Sequence, residues 1–275
     1  MNEMVGECWR RIKEALLQTE ERQEAEHQAR CLLCGAIGCG LGELSFQMDR
    51  QLRDEEKIQM ENWLQRRLSG EPLQYLLGSW GFMGLEFAVS PGVLIPRQDT
   101  ETLVEYALQL HKKRRFRTVL DLCCGSGCIG ISLAKLGGMD VTLTDIEPCC
   151  VELTRKNAVR NGVSVQTCCG DLFAPVTGTF DLIVSNPPYL TKSDMDTLQK
   201  EVRFEPTLAL YGGTDGLAFY RRIAERYRDY LNPGGVLLLE VGAEQGETVK
   251  KLIEATDAVK DINGIVRVIG KDLTV

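Results

Sequence analysis

Apolar residues recur at three- and four-residue steps over the first 70 positions. Val5, Trp9, Ile12 and Leu16 make one helical stripe. Ala25, Ala29, Leu32 and Ile37 continue it less regularly. Met60, Trp63, Leu64 and Leu68 form another, stopped by Gly70 and Pro72. A few short helices with few aromatics predict a small helical bundle over residues 1–72. The period then changes. Leu85, Phe87 and Val89 alternate with Glu86 and Ala88, and Trp80 and Phe82 precede Gly84, so residues 73–97 predict a linker carrying a β-hairpin. Pro96 stiffens the approach to a helix that Asp99 or Thr100 can cap, with Leu103, Val104, Ala107 and Leu110 on its apolar face. From residue 118 onward, short apolar runs alternate with helical stretches: Thr118–Cys123, Asp140–Thr144, Val163–Cys168, Phe180–Ser185, Gly235–Val241 and a last strand at Ile265–Ile269. Strands buried on both faces read this way, so residues 98–275 predict an α/β domain with a mostly parallel sheet. No internal repeat or low-complexity segment interrupts it.

The length of 275 residues suits one large or two unequal domains, and 44% hydrophobic with 26% charged residues is ordinary for a soluble core. No apolar run reaches the roughly 18–20 residues that span a bilayer. The start of the chain, with Glu3, Glu7 and Arg10 among apolar residues, does not resemble a secretion signal. A cytoplasmic protein without membrane contact is expected. The net charge of −7 weighs against a protein that grips long stretches of nucleic acid. The basic run His111–Arg117 reads as a solvated helix end, where cations offset the dipole.

Eleven cysteines include the adjacent pairs Cys123-Cys124, Cys149-Cys150 and Cys168-Cys169. Neighbours in a strand point to opposite faces, so such pairs are poor disulfide partners. Cys31-x-x-Cys34 with Cys39 lacks the second ligand pair usual for structural zinc, and the histidines are only His27 and His111. No metal is expected, and the thiols read as small buried residues in a reducing compartment.

The first candidate chemistry lies at Asp121-Leu122-Cys123-Cys124-Gly125-Ser126-Gly127-Cys128-Ile129-Gly130, a turn between a buried strand and a helix. Glycines there let a ligand approach the backbone, although a tight turn without a ligand would look the same. The next strand ends at Asp145, which can accept from both hydroxyls of a ribose. The third ends at Gly170-Asp171-Leu172-Phe173, where Asp171 can accept from an adenine amino group and Leu172 or Phe173 can pack on the ring. Successive strand ends then form one nucleoside pocket at the carboxyl edge of the sheet. A dinucleotide would bring a pyrophosphate to the turn. Asp121 disfavours that and suits an ammonium, so the charge logic favours S-adenosylmethionine.

The fourth strand runs into Asn186-Pro187-Pro188-Tyr189. Two prolines fix the backbone. The Asn186 side-chain oxygen and the Pro187 carbonyl can accept both hydrogens of a substrate NH2 group, aiming the nitrogen lone pair at the methyl group. The Tyr189 ring can stack on a planar amide or base, exclude water and stabilise nearby cationic charge. No strong base is needed, because the nitrogen can lose its proton after it becomes cationic. Alignment of this kind can contribute roughly 7–11 kcal/mol.

Together, the Asp121–Gly130 turn, Asp145, Asp171 and Asn186–Tyr189 resemble the amino-methyltransferases of the Rossmann-like class. Four further stretches resemble the release-factor glutamine methyltransferases (HemK-type): Glu71–Tyr75; Val93–Arg97 with Asp99-Thr100-Glu101; Glu205-Pro206 with Ala209-Leu210; and Gly212–Leu217. The resemblance covers residues 70–245 well and the helical segment in plan. It implies a seven-stranded sheet of order 3-2-1-4-5-7-6 with strand 7 antiparallel. It also implies a glutamine acceptor in the Gly-Gly-Gln loop of class I release factors, held by Asn186 to Tyr189, and a helical domain that helps recruit that protein. The cofactor contacts it implies are Asp121, Cys123, Cys124, Gly125, Ser126, Gly127, Asp145, Asp171, Leu172 and Asn186. The chain departs from the family at Cys123, where glycine is usual, and matches it loosely from Glu254 onward.

Two rival readings stay open on the sequence. One is a methyltransferase acting on adenine N6 or guanine N2, which would need the base flipped out. The other is a cofactor-binding module without turnover, supported only by Cys123. A monomer is expected.

Overall fold

The computed structural model describes residues 3–274, and these form two compact units. One runs to Gly78 and takes in Gln199–Phe204; the other holds Ser79–Leu198 and the chain from Glu205 on. Among the described residues no helix is long and apolar enough to cross a membrane.

The first unit is helical: α1 Val5–Leu16, α2 Arg22–Ile37, α3 Asp54–Leu68 and α4 Leu73–Leu77. Helix α1 buries Val5, Cys8, Ile12 and Leu16, a stripe at three- and four-residue steps. Trp9 sits beside that stripe, with the Lys13 ammonium over its ring. Helix α2 ends at Gly38 in the left-handed conformation, whose N–H reaches the Cys34 carbonyl (2.9 Å). Helix α3 has Asp54, Glu55 and Glu56 in its first turn and Arg66 and Arg67 in its last, complementing its dipole. Arg67 is buried and binds Gln28 (2.7 Å), Glu20 and Glu201 (2.7 Å), so the Gln199–Phe204 segment is tied into this unit by an ion pair.

The second unit opens with a hairpin, β1 Ser79–Phe82 and β2 Leu85–Ala88, turning at Met83-Gly84. Then follow α5 Gln98–Arg114, β3 Thr118–Leu122, α6 Cys128–Gly137, β4 Asp140–Asp145, α7 Pro148–Arg160, β5 Gln166–Cys169 and β6 Phe180–Ser185. The short helices α8 Lys192–Asp196 and α9 Thr207–Leu210 precede α10 Ala218–Arg226, β7 Leu231–Glu240, α11 Gly246–Leu252, β8 Asp257–Lys260 and β9 Val266–Asp272. The seven-stranded sheet has the order β5-β4-β3-β6-β7-β9-β8, with β9 antiparallel to both neighbours. Numbered within the sheet, this is the implied order 3-2-1-4-5-7-6.

Alternation along the central strands sorts their side chains into two layers. Val119, Leu182, Val184, Val236 and Leu238 pack with α5 and α6; Leu120, Leu122, Ile183, Leu237 and Leu239 pack with α10 and α11. Strand β8 was not anticipated, because Asp257–Lys260 is a half-exposed edge strand without an apolar run. Strand β5 begins at Gln166 rather than Val163, since β4 pairs with it only from Thr142. The basic run ends α5: Arg114 binds Asp272 and the Gly234 carbonyl, and Arg115 closes the helix in the left-handed conformation.

The expected cap of α5 is not made. The helix starts at Gln98 behind Arg97, with no side-chain cap. Asp99 instead pairs with Arg267 (2.8 Å), and the Thr100 hydroxyl accepts from the Asn186 side chain (3.3 Å). Both residues lie inside the first turn and are drawn to partners on the sheet edge.

Candidate active site

Strands β3, β4, β5, β6 and β7 all end at one edge of the sheet, and a cavity of about 350 Å³ opens there. Chain direction across the sheet diverges between β3 and β6, where open α/β sheets leave a crevice.

Asp121 sits within β3 and is fully buried. Its Oδ2 accepts the Gly130 N–H (2.9 Å), while Oδ1 has no partner. Burial, opposed by that hydrogen bond and assisted by nearby Asp145, pushes its carboxyl up to about 8. Oδ1 is a buried acceptor left open, of the kind a cationic group completes, but Asp121 itself is not among the residues lining the cavity. After β3 the turn Cys123, Cys124, Gly125 and Ser126 lines the cavity. Gly127 does not. It is the left-handed N-cap of α6 (φ 79°), and a Cβ there would come within 2.8 Å of the Thr154 methyl. Its contribution is to the shape of the turn.

Asp145 closes β4 on the cavity wall. Its Oδ2 accepts the Gly125 N–H (2.8 Å) and its Oδ1 the Glu147 N–H (3.0 Å), which aims the carboxylate and leaves lone pairs for hydroxyl donors. Asp171 and Leu172 line the far end, Asp171 paired with Arg222 (2.6 Å). Phe173 is turned away, stacked on Tyr230 in the core at 4.6 Å, so only Leu172 is placed to cover a ring.

Cys123 has a left-handed backbone (φ 58°), a conformation that favours glycine. Its thiol lines the cavity within reach of Ser185. Desolvation is the largest cause raising the thiols of Cys123, Cys124, Cys128 and Cys150, so these four stay protonated. All eleven cysteines are free.

At the other end, Asn186 and Pro188 line the cavity, whereas Pro187 is buried and Tyr189 lies half-buried against the core. Burial, with Glu240 nearby, raises the Tyr189 phenol to about 12, so it stays neutral. The tetrapeptide is clamped from outside. The Tyr189 carbonyl accepts from Gln245 Nε2 (2.8 Å), the Leu190 carbonyl from the Gly212 N–H (2.8 Å), and a Cβ at Gly216 would fall 2.3 Å from the Tyr189 carbonyl oxygen. The Gly212–Leu217 stretch therefore braces the motif.

Several lining residues were not anticipated. Leu94, Ile95, Pro96 and Arg97 form one wall, held by Glu205, which accepts the Ile95 N–H (3.0 Å) and pairs with Arg97. Thr100 lines the cavity as well and was missed. Glu240, buried at the end of β7 and outside the lining, closes the unbroken apolar run Val236–Leu239.

The sheet order, the helices on both faces and this cavity define a methyltransferase of the Rossmann-like class. Known proteins agree. A family described as Methyltransferase small domain matches residues 98–203, and one described as PrmC N-terminal domain matches residues 7–78. The release factor glutamine methyltransferase of Geobacter sulfurreducens is 43% identical over 256 residues, covering 90% of this chain and 89% of its own length. That of Moorella thermoacetica is 37% identical over 276 residues, covering 99% and 96%. A solved methyltransferase from Pyrococcus furiosus shares the fold with a TM-score of 0.54 at 20% identity, over 78% of this chain and 98% of its own. The chain belongs to the release factor glutamine methyltransferases, enzymes that use S-adenosylmethionine.

Proposed function

We propose that this protein transfers a methyl group from S-adenosylmethionine to the side-chain amide nitrogen of a glutamine, that of the Gly-Gly-Gln loop in class I peptide chain release factors. The observation that carries the reading is Asn186: on the cavity wall, after a buried strand, with its Nδ2 donated to Thr100 and its carbonyl oxygen left for an incoming NH2 group.

Asp121 Oδ1 receives the cofactor ammonium, Asp145 the ribose hydroxyls, and Asp171 with Leu172 the adenine. The turn Cys123 to Ser126 carries the methionine part. When bound, the cofactor supplies a sulfonium methyl whose C–S bond breaks toward sulfur as the N–C bond forms. Asn186 and the Pro187 carbonyl accept the two N–H bonds of the glutamine amide and return electron density to its nitrogen. Those hydrogen bonds strengthen as the nitrogen becomes cationic, so they favour the transition state over the ground state. Tyr189 and Pro188 pack on the amide plane and exclude water. The helical unit, 1–72 as read from the sequence, recruits the release factor, with 73–97 as linker and 98–275 as the catalytic domain.

The test is transfer of labelled methyl to a purified class I release factor, beside a control with the Gly-Gly-Gln glutamine changed to alanine. Label that disappears in the control supports the reading. Equal labelling of both, or none with cofactor bound, overturns it, and the same assay on DNA and ribosomal RNA then examines the nucleic-acid alternative.

A further inference from the structure

Among the eleven free thiols, two face each other across a helix end. Cys34 lies in the last turn of α2 and Cys39 two residues beyond it, and their Sγ atoms are 3.8 Å apart. The turn between them sets this contact. A helix that stops at a left-handed residue folds the next residue back onto its last turn, where two apolar side chains commonly meet. Gly38 takes that conformation (φ 71°), and the Gly38 and Cys39 N–H groups both reach the Cys34 carbonyl (2.9 and 3.1 Å). A Cβ at Gly38 would touch nothing, so glycine serves there through its backbone alone. The two positions that such a turn brings together are here both cysteines.

Other thiols lack this arrangement. Adjacent residues such as Cys149 and Cys150 have Cα atoms about 3.8 Å apart, short of the ~4.4 Å that a disulfide needs. Cys31 Sγ lies 3.5 Å from His27 Nε2, and Cys8 Sγ accepts from Arg11 (3.8 Å).

We infer that Cys34 and Cys39 form a site of reversible oxidation, closed to a disulfide by exchange with a low-molecular-weight disulfide. Cys39 is partly exposed and Cys34 is buried, so the reagent meets Cys39 first. The Cys39 thiolate attacks one sulfur of the reagent. The reagent's S–S bond breaks, a mixed disulfide forms on Cys39, and the departing thiolate takes up the proton that Cys39 released. Cys34 Sγ then attacks Cys39 Sγ and expels the second thiolate, which takes the Cys34 proton. The protein sulfurs lose two electrons and two protons, and the reagent becomes two thiols. The sulfurs have to close from 3.8 Å to about 2.05 Å, while the backbone hydrogen bonds keep the two residues together. Burial, with the Cys39 thiol beside it, raises the Cys34 thiol to about 12, so the second step is the slower one. Closure joins the last turn of α2 to the residue after it, and that helix end can no longer fray freely.

The test treats the full-length native protein with excess oxidised glutathione, followed by acid quench, alkylation and tryptic digestion. Cleavage after Arg30 and Arg50 yields one peptide carrying Cys31, Cys34 and Cys39. The wild-type peptide should take one alkyl group where the untreated peptide takes three, and regain all three after dithiothreitol. Cys31→Ser should still form the bridge. Cys34→Ser, which cannot resolve the intermediate, should keep glutathione on Cys39. A wild-type peptide that still takes three alkyl groups, one that ends with glutathione on Cys39, or a bridge lost in Cys31→Ser overturns the inference. Should Cys31→Ser fold poorly, the wild-type fragment ions decide the matter. Backbone breaks between Cys31 and Cys34, with none between Cys34 and Cys39, place the bridge at the proposed pair, and any other pattern overturns it.

Discussion

Two buried carboxyls stand on the strands flanking β6, Asp121 on β3 and Glu240 at the end of β7. Each leaves one oxygen unpaired, and burial raises each far above the ordinary carboxylate range. Neither is among the residues lining the cavity at which those strands end. On the proposed reading the open Asp121 Oδ1 is completed by the cofactor ammonium, a matter of charge complementarity. Glu240 ends the strand beside the one that leads into Asn186. At Asn186 the proposed acceptor is a neutral amide, which has to be oriented by hydrogen-bond direction.

The contrast breaks most sharply at Asn186. Asn186→Ala should lower the single-turnover methyl-transfer rate by about 10²–10³-fold, the scale seen when one preorganised hydrogen-bonding group is lost at a reacting centre. Cofactor affinity, measured by calorimetry, should change little, because the contacts proposed for Asp121 and Asp145 are made at other strand ends. A fall in affinity as large as the fall in rate would show that the two ends are one unit.

Asp121→Asn tests the other end. Loss of a charge-assisted hydrogen bond should weaken cofactor binding about 10- to 100-fold, with a smaller effect on the rate at saturation. The same variant should alter the response of the ligand-free protein to pH. The folded carboxyl titrates at about 8, the unfolded one near 4, so the folded state holds a proton that the unfolded chain releases. This stabilisation is complete below about pH 4 and is lost as pH rises through about 8. Thermal melts of the wild type should therefore fall between pH 5 and 9, and those of Asp121→Asn should fall less. Glu240, raised to about 7, acts in the same direction, so a residual slope remains in the variant. Parallel curves for the two proteins would contradict the buried, protonated state of Asp121.

The two ends also differ in how far the sequence reveals them. The wall proposed for the cofactor is assembled from strand ends with local signatures, so Cys123 to Ser126, Asp145, Asp171 and Leu172, which line the cavity, stood out in the sequence; Asp121 stood out too but lies outside the lining. What failed there was local detail. Gly127 shapes the turn without reaching the cavity, and Phe173 found a better partner in Tyr230. At the acceptor end only Asn186–Tyr189 is contiguous. Thr100 lies 86 positions away and meets Asn186 at the sheet edge through topology. Thr100 looked like a helix cap because hydroxyls near a helix start usually serve their own backbone; tertiary structure gave it another partner. The edge strand β8 escaped for a related reason, since Asp257–Lys260 has too little apolar surface to announce pairing that β9 supplies.

The smallest effect sharpens the comparison within the cofactor end itself. Cys123 holds a left-handed backbone at φ 58° on the cavity wall. A non-glycine residue in that region costs about 1–2 kcal/mol. Against this, the thiol packs on the layer containing Leu122 and Leu239, and glycine would forgo that contact while adding freedom to the unfolded chain. Strain relief is the larger of the two, so Cys123→Gly should stabilise the protein by up to about 1 kcal/mol, a rise of roughly 2–4 °C in Tm. Cofactor affinity should hold or improve, because the side chain removed lies on the wall and the raised thiol carries no charge. Weaker binding in the glycine variant would assign the thiol a contact with the cofactor. A lower Tm with unchanged binding would show that packing outweighs backbone strain at this turn.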